Sequence, residues 1–287
     1  MSAQPAVVVV IPTFKPSAHL LDLVSVLQAS VEYLVVSDDA SPCTSDALLR
    51  TVAAIAGVTV LRHTSNAGIA RGLNEGLRAA TECDAEWLLT MDQDSMVDMS
   101  YINDLVKAAT SRLDQAERTG AVGAEVIDDL SGPMTYPAST VRGLLVTEEV
   151  IQTGTLWNVD ALNRVGGFDQ SLGMDAVDAA ACLALRRVGF VVGLADGLTV
   201  KHAIGRSTSV SIGGRTVMVT GHSPERRASM LRSRLRLFPA EFAESPRHAV
   251  RTVRRVVINQ TLGLLIEGQR WEKAKGTARG LRPSRGR

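Results

Sequence analysis

Four short apolar runs constrain this chain more than any other feature. Val7-Val8-Val9-Val10-Ile11, Tyr33-Leu34-Val35-Val36, Val58-Thr59-Val60-Leu61 and Trp87-Leu88-Leu89-Thr90-Met91 are rich in β-branched or bulky residues and lack polar alternation. A strand without alternation is buried on both faces, as strands of a parallel sheet are. Between the runs, apolar residues recur at helical spacing: Leu20, Leu23, Val24 and Leu27, then Leu48 to Ile55, then Ile69, Leu73 and Leu77. Strands alternating with helices at this rhythm predict a parallel sheet wound by right-handed crossovers. A helix over 100–113, with Ile102, Leu105, Val106 and Ala109 on one side, closes this half. The second half is less regular. Gly154 to Val159 reads as a strand, Gly166-Gly167-Phe168-Asp169 as a turn, Ala176 to Val188 as a helix, and Phe190 to Leu194 and Leu198 to His202 as two short strands. From Arg227 onward helix dominates with breaks at Pro239 and Pro246, and the last dozen residues are expected to lack fixed structure.

Three of the strand ends carry chemistry. Pro12-Thr13-Phe14, Asp38-Asp39 and Asp92-Gln93-Asp94 all follow apolar strands, so in a parallel sheet they share one edge and converge on one ligand. Asp92 and Asp94, one residue apart, are hard anionic donors suited to Mg²⁺ or Mn²⁺, which points to a metal-bound diphosphate. Asp39 can accept the imide N–H of a uracil or thymine ring, and guanine offers a similar donor whereas adenine does not. In Asn66-Ala67-Gly68-Ile69-Ala70-Arg71-Gly72-Leu73-Asn74-Glu75-Gly76, Gly68 lets the backbone approach a ligand, the helix start can face phosphate, and Arg71 adds a forked donor. Spacing equally allows Gly72 and Gly76 to serve only close packing. Asp175 and Asp178, three apart near a helix start, share a face; they read either as helix caps or as carboxylates in a site.

Composition narrows the setting. With 287 residues, 45% hydrophobic and 21% charged, the chain can bury a substantial core. Cys43, Cys83 and Cys182 form no Cys-x-x-Cys pair and are odd in number, so a disulfide framework or zinc knuckle is not expected and a reducing, cytoplasmic setting is. Ala6 to Ile11 is too short for a signal h-region or a membrane span. Net charge is +1, but residues 226–287 hold 16 Lys/Arg against Glu241, Glu244, Glu267 and Glu272, near +12, which leaves the body near −11. Arg247, Arg251, Arg254 and Arg255 recur at helical spacing with Val250, Val253, Val257 and Leu264 displaced around the helix. Such a segment lies on anionic lipid or packs on the acidic body. Nucleic acid is not expected, because Trp271 is the only aromatic beyond Phe242.

Taken in order, Val9 to Phe14, Val36-Ser37-Asp38-Asp39-Ala40-Ser41, the Asn66 to Gly76 segment with Arg71 and Asn74 in register, and Asp92-Gln93-Asp94-Ser95 resemble the inverting glycosyltransferases of family 2, which have the GT-A fold. Val165 to Asp169, Met174 to Asp178 and Cys182-Leu183 resemble the bacterial dTDP-rhamnosyltransferases of that family most. The resemblance covers roughly residues 7–235. It implies a GT-A domain over 1–235, with a nucleotide-binding half 1–115 and an acceptor half 116–235, followed by a basic helical appendage at 236–287. It further implies that Pro12, Thr13, Asn66, Gly68 and Arg71 line the donor site, Asp39 reads the pyrimidine, and Asp92 the ribose. Asp94 binds Mn²⁺ or Mg²⁺ between the phosphates, His202 completes that site or is structural, and Asp178 is the general base. Arg226, Arg227 and Arg232 would lie near the diphosphate. The expected reaction moves a sugar, L-rhamnose from dTDP-rhamnose, onto a lipid-linked or polysaccharide acceptor of the cell envelope, at the inner face of the plasma membrane and in a chain that is able to oligomerise. Ala180, Ala184, Ala228 and Ser229 depart from the family pattern, which leaves a UDP-sugar-dependent enzyme and a non-catalytic nucleotide-sugar-binding relative as alternatives. A sugar-nucleotide pyrophosphorylase needs a Gly-rich phosphate loop where Pro12 to Pro16 stands, and a receiver-like signalling domain would be about half as long.

Overall fold

A computed structural model describes residues 6–110, 118–128, 132–134, 137–141, 144–172, 174–202, 208–212, 215–219, 221–266 and 270–281. The chain divides into two compact units, residues 1–127 with 133–202, and residues 128–132 with 203–287.

In the first unit, β1 (Val7–Thr13), β2 (Tyr33–Asp38), β3 (Val58–Arg62) and β4 (Trp87–Thr90) are the four apolar runs, and they pair in parallel in the order β3-β2-β1-β4. They alternate with α1 (His19–Gln28), α2 (Asp46–Ala53) and α3 (Ile69–Glu82), as their spacing predicts. Leu20, Leu23, Val24 and Leu27 of α1 are buried, as are Val8 to Ile11. Helix α3 lies close on β1 because Gly72 and Gly76 present no side chain: a β-carbon on Gly76 would overlap Val10, and one on Gly72 would sit 2.9 Å from Ser37 Oγ and 3.2 Å from the Pro12 ring. The packing reading of these two glycines is therefore correct.

Helix α4 (Tyr101–Thr110) ends the described part of the expected 100–113 helix; residues 111–113 lie outside the described residues. Beyond it the sheet is mixed. It contains β5 (Arg118–Asp128), β6 (Gly132–Met134), β7 (Ala138–Val141), β8 (Leu144–Thr147), β9 (Thr155–Asn158) and β10 (Phe190–Lys201). The order continues β4-β9-β5-β10-β8-β7, with β6 paired to β5. β9 runs antiparallel to both β4 and β5, and β10 parallel to β5. Two expectations change here. The 11-residue β5 carries no long apolar run, because Gly120, Gly123 and alanines occupy it, with Gly120 leaving room for Phe190 and Gly123 for Val150. The two short strands expected at 190–194 and 198–202 are one strand, β10, whose pairing with β5 shifts register between Leu194 and Thr199. Between β9 and β10 stand α5 (Val159–Arg164) and α6 (Val177–Arg187). The turn after α5 is clamped to α3: Asn74 Nδ2 donates to Phe168 O at 2.8 Å and Phe168 N–H donates to Asn74 Oδ1 at 2.8 Å. Phe168 then meets Trp157 edge to face, with ring centroids 5.3 Å apart.

The second unit contains the antiparallel hairpin β11 (Thr208–Ile212) and β12 (Arg215–Val219), then α7 (Pro224–Glu244), α8 (Pro246–Ile266) and α9 (Arg270–Gly280). Helix α7 runs through Pro239, so no break occurs there, whereas Pro246 does begin a new helix. Residues 235 and 236 both lie within α7, and the second compact unit takes up the chain after His202. Helix also extends to Gly280, into the segment expected to lack structure, because Gly276 and Gly280 let α9 approach the backbone of Pro224 and Ala228 on α7.

Candidate active site

Strand order reverses between β1 and β4: β2 and β3 lie to one side of β1 and β4 to the other. In an open α/β sheet the crevice outside the carboxyl ends of the strands at such a point is where ligands bind. The two lips of this crevice are tied by Gln93, whose Oε1 accepts from Thr13 Oγ1 and, at 3.0 Å, from Phe14 N–H, while its Nε2 donates to Phe14 O at 3.2 Å.

Beside Gln93, Asp92 and Asp94 converge on His202. Asp92 Oδ2 lies 3.3 Å from His202 Nε2 and Asp94 Oδ1 lies 3.2 Å from His202 Nδ1. One ligand atom from each of the three residues lies within 4.8 Å of the others, so two carboxylate oxygens and an imidazole nitrogen face a common point. That donor set fits Mn²⁺ or Mg²⁺, with the imidazole favouring Mn²⁺. Burial raises the pKa of Asp94, but the hydrogen bond and charge of His202 outweigh it, so Asp94 lies below the usual carboxylate value. His202 reaches this point by a backbone device: Met96 and Lys201 form an antiparallel bridge, with Met96 N–H to Lys201 O at 2.9 Å and Lys201 N–H to Met96 O at 3.1 Å, and His202 N–H donates to Ile127 O at 3.0 Å.

A second layer, absent from the sequence reading, holds Asp92. Thr153 Oγ1 accepts the Asp92 N–H at 2.9 Å and bonds Ser95 Oγ at 2.7 Å, and Gln152 Nε2 donates to Asp92 Oδ1. Gln152 is 7% exposed and its Oε1 has no partner among the described groups. These residues lead into β9. Because β9 is antiparallel to β4, the start of β9 lies at the same edge as the end of β4, an arrangement no local pattern in the sequence reveals.

On the opposite lip, Asp39 N–H donates to Thr13 O at 2.8 Å. The Asp39 carboxylate accepts the N–H groups of Ala67 and Gly68 at 2.7 and 2.9 Å, and Asn66 Nδ2 donates to Asp39 O at 3.3 Å. Gly68, at φ 89°, makes the turn that presents both N–H groups. Asp39 therefore anchors the Asn66–Gly68 loop, and each of its oxygens retains a lone pair for a ligand. Asp38 is fully buried and meets Arg62 Nε at 3.2 Å. Arg71 lies half-exposed in the first turn of α3, with Nε 3.5 Å from Glu75 Oε1; Glu75 Oε2 in turn accepts from Ser37 Oγ at 2.7 Å and lies 3.0 Å from His63 Nε2.

Asp178 is not part of the metal-type cluster. It lies half-buried in the first turn of α6, where its Oδ1 accepts the Ala179 N–H at 2.8 Å; the preceding Ala176 takes the left-handed conformation. Helix α6 is seated beside the Gln152 loop by Cys182 Sγ, which donates to Val150 O. In the second unit, two of the arginines singled out in the sequence make contacts within that unit. Arg227 is buried and bonds Gln260 O, whose own Nε2 donates to Arg227 O at 3.1 Å, and Arg232 Nη2 donates to Arg279 O at 3.2 Å.

Residues 8–120, which carry Asp39, Arg71, Asp92 and Asp94, match the family described as glycosyl transferase family 2. They form a family 2 glycosyltransferase domain. The enzyme is 28% identical over 239 residues to the dTDP-rhamnosyl transferase RfbF of Shigella flexneri, covering 78% of this chain and 77% of that protein. Its structure resembles that of GalNAc-T7, solved with UDP, GalNAc and Mn²⁺, at a TM-score of 0.60 and 14% identity; the match covers 83% of this chain and 48% of that one, so the enzyme spans about half of that protein. It also resembles the mannosyltransferase PcManGT of Pyrobaculum calidifontis, solved with GDP-Man and Mn²⁺, at a TM-score of 0.58 and 17% identity over 98% of this chain and 82% of that one. At these identities the structural likeness is one of fold, and the fold is GT-A.

Proposed function

We propose that the enzyme transfers L-rhamnose from dTDP-rhamnose to a saccharide acceptor with inversion at the anomeric carbon. The observation that carries the reading is the Asp92–Asp94–His202 cluster at the β1/β4 crevice, in a chain similar along most of its length to a dTDP-rhamnosyl transferase. Asp92, Asp94 and His202 would hold a divalent ion, which when bound neutralises charge on the departing diphosphate. Asp39, whose oxygens each keep a lone pair, would accept the thymine imide, and Arg71 would donate toward the donor from the start of α3. Gln152 and Thr153 hold Asp92 in place, so the carboxylate is oriented before donor arrives. Inversion requires attack on the face opposite the diphosphate, and a carboxylate there takes the acceptor proton; Asp178, on the helix seated beside the Gln152 loop, is assigned that role. A lipid-linked envelope glycan is the proposed acceptor class.

The test is competition among dTDP-rhamnose, UDP-glucose, UDP-galactose and GDP-mannose for the Mn²⁺-loaded protein. dTDP-rhamnose is expected to bind tightest, with a preference over UDP-sugars of about fivefold, since one methyl in an apolar pocket contributes about 1 kcal/mol. Tightest binding by GDP-mannose overturns both the pyrimidine and the rhamnose assignments; a UDP-sugar winning overturns the second. In the same assay Asp94→Ala should remove the Mn²⁺ dependence of nucleotide binding, and unchanged dependence would remove Asp94 from the metal site.

A further inference from the structure

Helix α8 turns polar and small residues inward and leaves aliphatic ones to solvent. Its buried side is polar or small: His248, Ala249, Thr252, Gln260 and Gly263, with Gln260 bonded to Arg227 and to Thr277. Its solvent side carries Arg247, Val250, Arg254, Val257 and Ile258, which at intervals of three, seven, ten and eleven residues lie along one stripe. Val250 is 51% exposed, Val257 48% and Ile258 46%. The aliphatic residues thus contribute to no core among the described residues, and they share their stripe with guanidinium groups.

From this arrangement we infer that the solvent face of α8 docks the enzyme onto an anionic lipid surface. The three aliphatic side chains insert at the headgroup boundary while Arg247 and Arg254 extend their stems and meet lipid phosphates. Charge selects this occupant. Helix α8 contains no acidic residue, and residues 226–287 hold 16 Lys/Arg against four Glu. Two-fold pairing of the same face on a second copy would set arginine against arginine. None of the described helices is long and apolar enough to cross a membrane, so the contact is peripheral.

The experiment is sedimentation of the full-length protein with vesicles of phosphatidylglycerol and phosphatidylcholine, against vesicles of phosphatidylcholine alone. Binding is expected only to the anionic vesicles and should weaken with added salt. Arg247→Gln with Arg254→Gln should weaken it about twenty-fivefold, the product of about fivefold per arginine at such a surface. Val257→Asp with Ile258→Asp should abolish it, and because all four side chains point to solvent, circular dichroism and nucleotide binding should not change. Equal binding to both vesicles, binding unaffected by either pair of substitutions, or a dimer in velocity sedimentation that the aspartate pair dissolves would each overturn the inference. So would vesicle binding that is absent while the protein is retained on RNA.

Discussion

At the scale of single residues, the site separates groups that face one common point from groups that hold them. Asp92, Asp94 and His202 share one point, whereas Gln93, Gln152, Thr153 and Ser95 bond one another, the lips of the crevice or Asp92. The assignment of Asp178 as base makes a definite demand. Asp178→Asn keeps the size of the side chain and an oxygen for the Ala179 N–H, but cannot take a proton. Turnover should fall by a factor on the order of 10²–10⁴ with donor affinity within a few-fold, read from initial rates and from nucleotide-sugar titration. Unchanged turnover would leave Asp178 as a residue of the α6 first turn and direct attention to Asp175.

At the scale of elements, the close approaches are made by glycine. Gly76 admits β1 to α3, and Gly276 with Gly280 admits α7 to α9. A β-carbon at 276 would fall on the carbonyl oxygen of Pro224, a backbone atom that cannot rotate aside, so α9 would have to move off α7. Gly276→Val should therefore cost about 1–3 kcal/mol in thermal or urea unfolding. Ala278→Val, on the exposed side of the same helix, should stay within about 0.5 kcal/mol. Equal effects would mean that helix propensity rather than contact sets the cost. The same logic explains β5, which was not legible as a strand: its glycines and alanines make room for Phe190 and Val150, and a strand selected for thinness carries no apolar run.

At the scale of the whole molecule, the three cysteines report on the integrity of the fold. Cys43 and Cys83 are exposed, while Cys182 is fully buried on α6 and burial pushes its thiol up to about 12. A thiol reagent should modify two cysteines quickly in the native protein and the third only when the molecule opens. A ligand at a hundredfold excess over its Kd stabilises the folded state by about 2.7 kcal/mol, so under the proposed function dTDP added to the protein in Mn²⁺ should slow modification of Cys182 about a hundredfold. If all three react together, α6 opens locally and Cys182 does not report global unfolding.

The amino-acid pattern by itself determined the parallel half of the sheet, because each of β1 to β4 is buried on both faces and so is written as a continuous apolar run. It also placed Asp39, Asp92 and Asp94 at one edge, since parallel strands share their carboxyl ends. Only the tertiary structure decided what joins them. Gln152 and Thr153 arrive at that edge because β9 is antiparallel, and His202 because the Met96–Lys201 bridge holds the end of β10 beside the Asp92 loop. These are pairings between residues some 60 to 110 positions apart, and local periodicity carries no information about them. The direction of α8 was likewise decided by packing: a β-carbon on Gly263 would overlap the Arg227 guanidinium of α7, so this face turns inward and the aliphatic stripe is left to solvent.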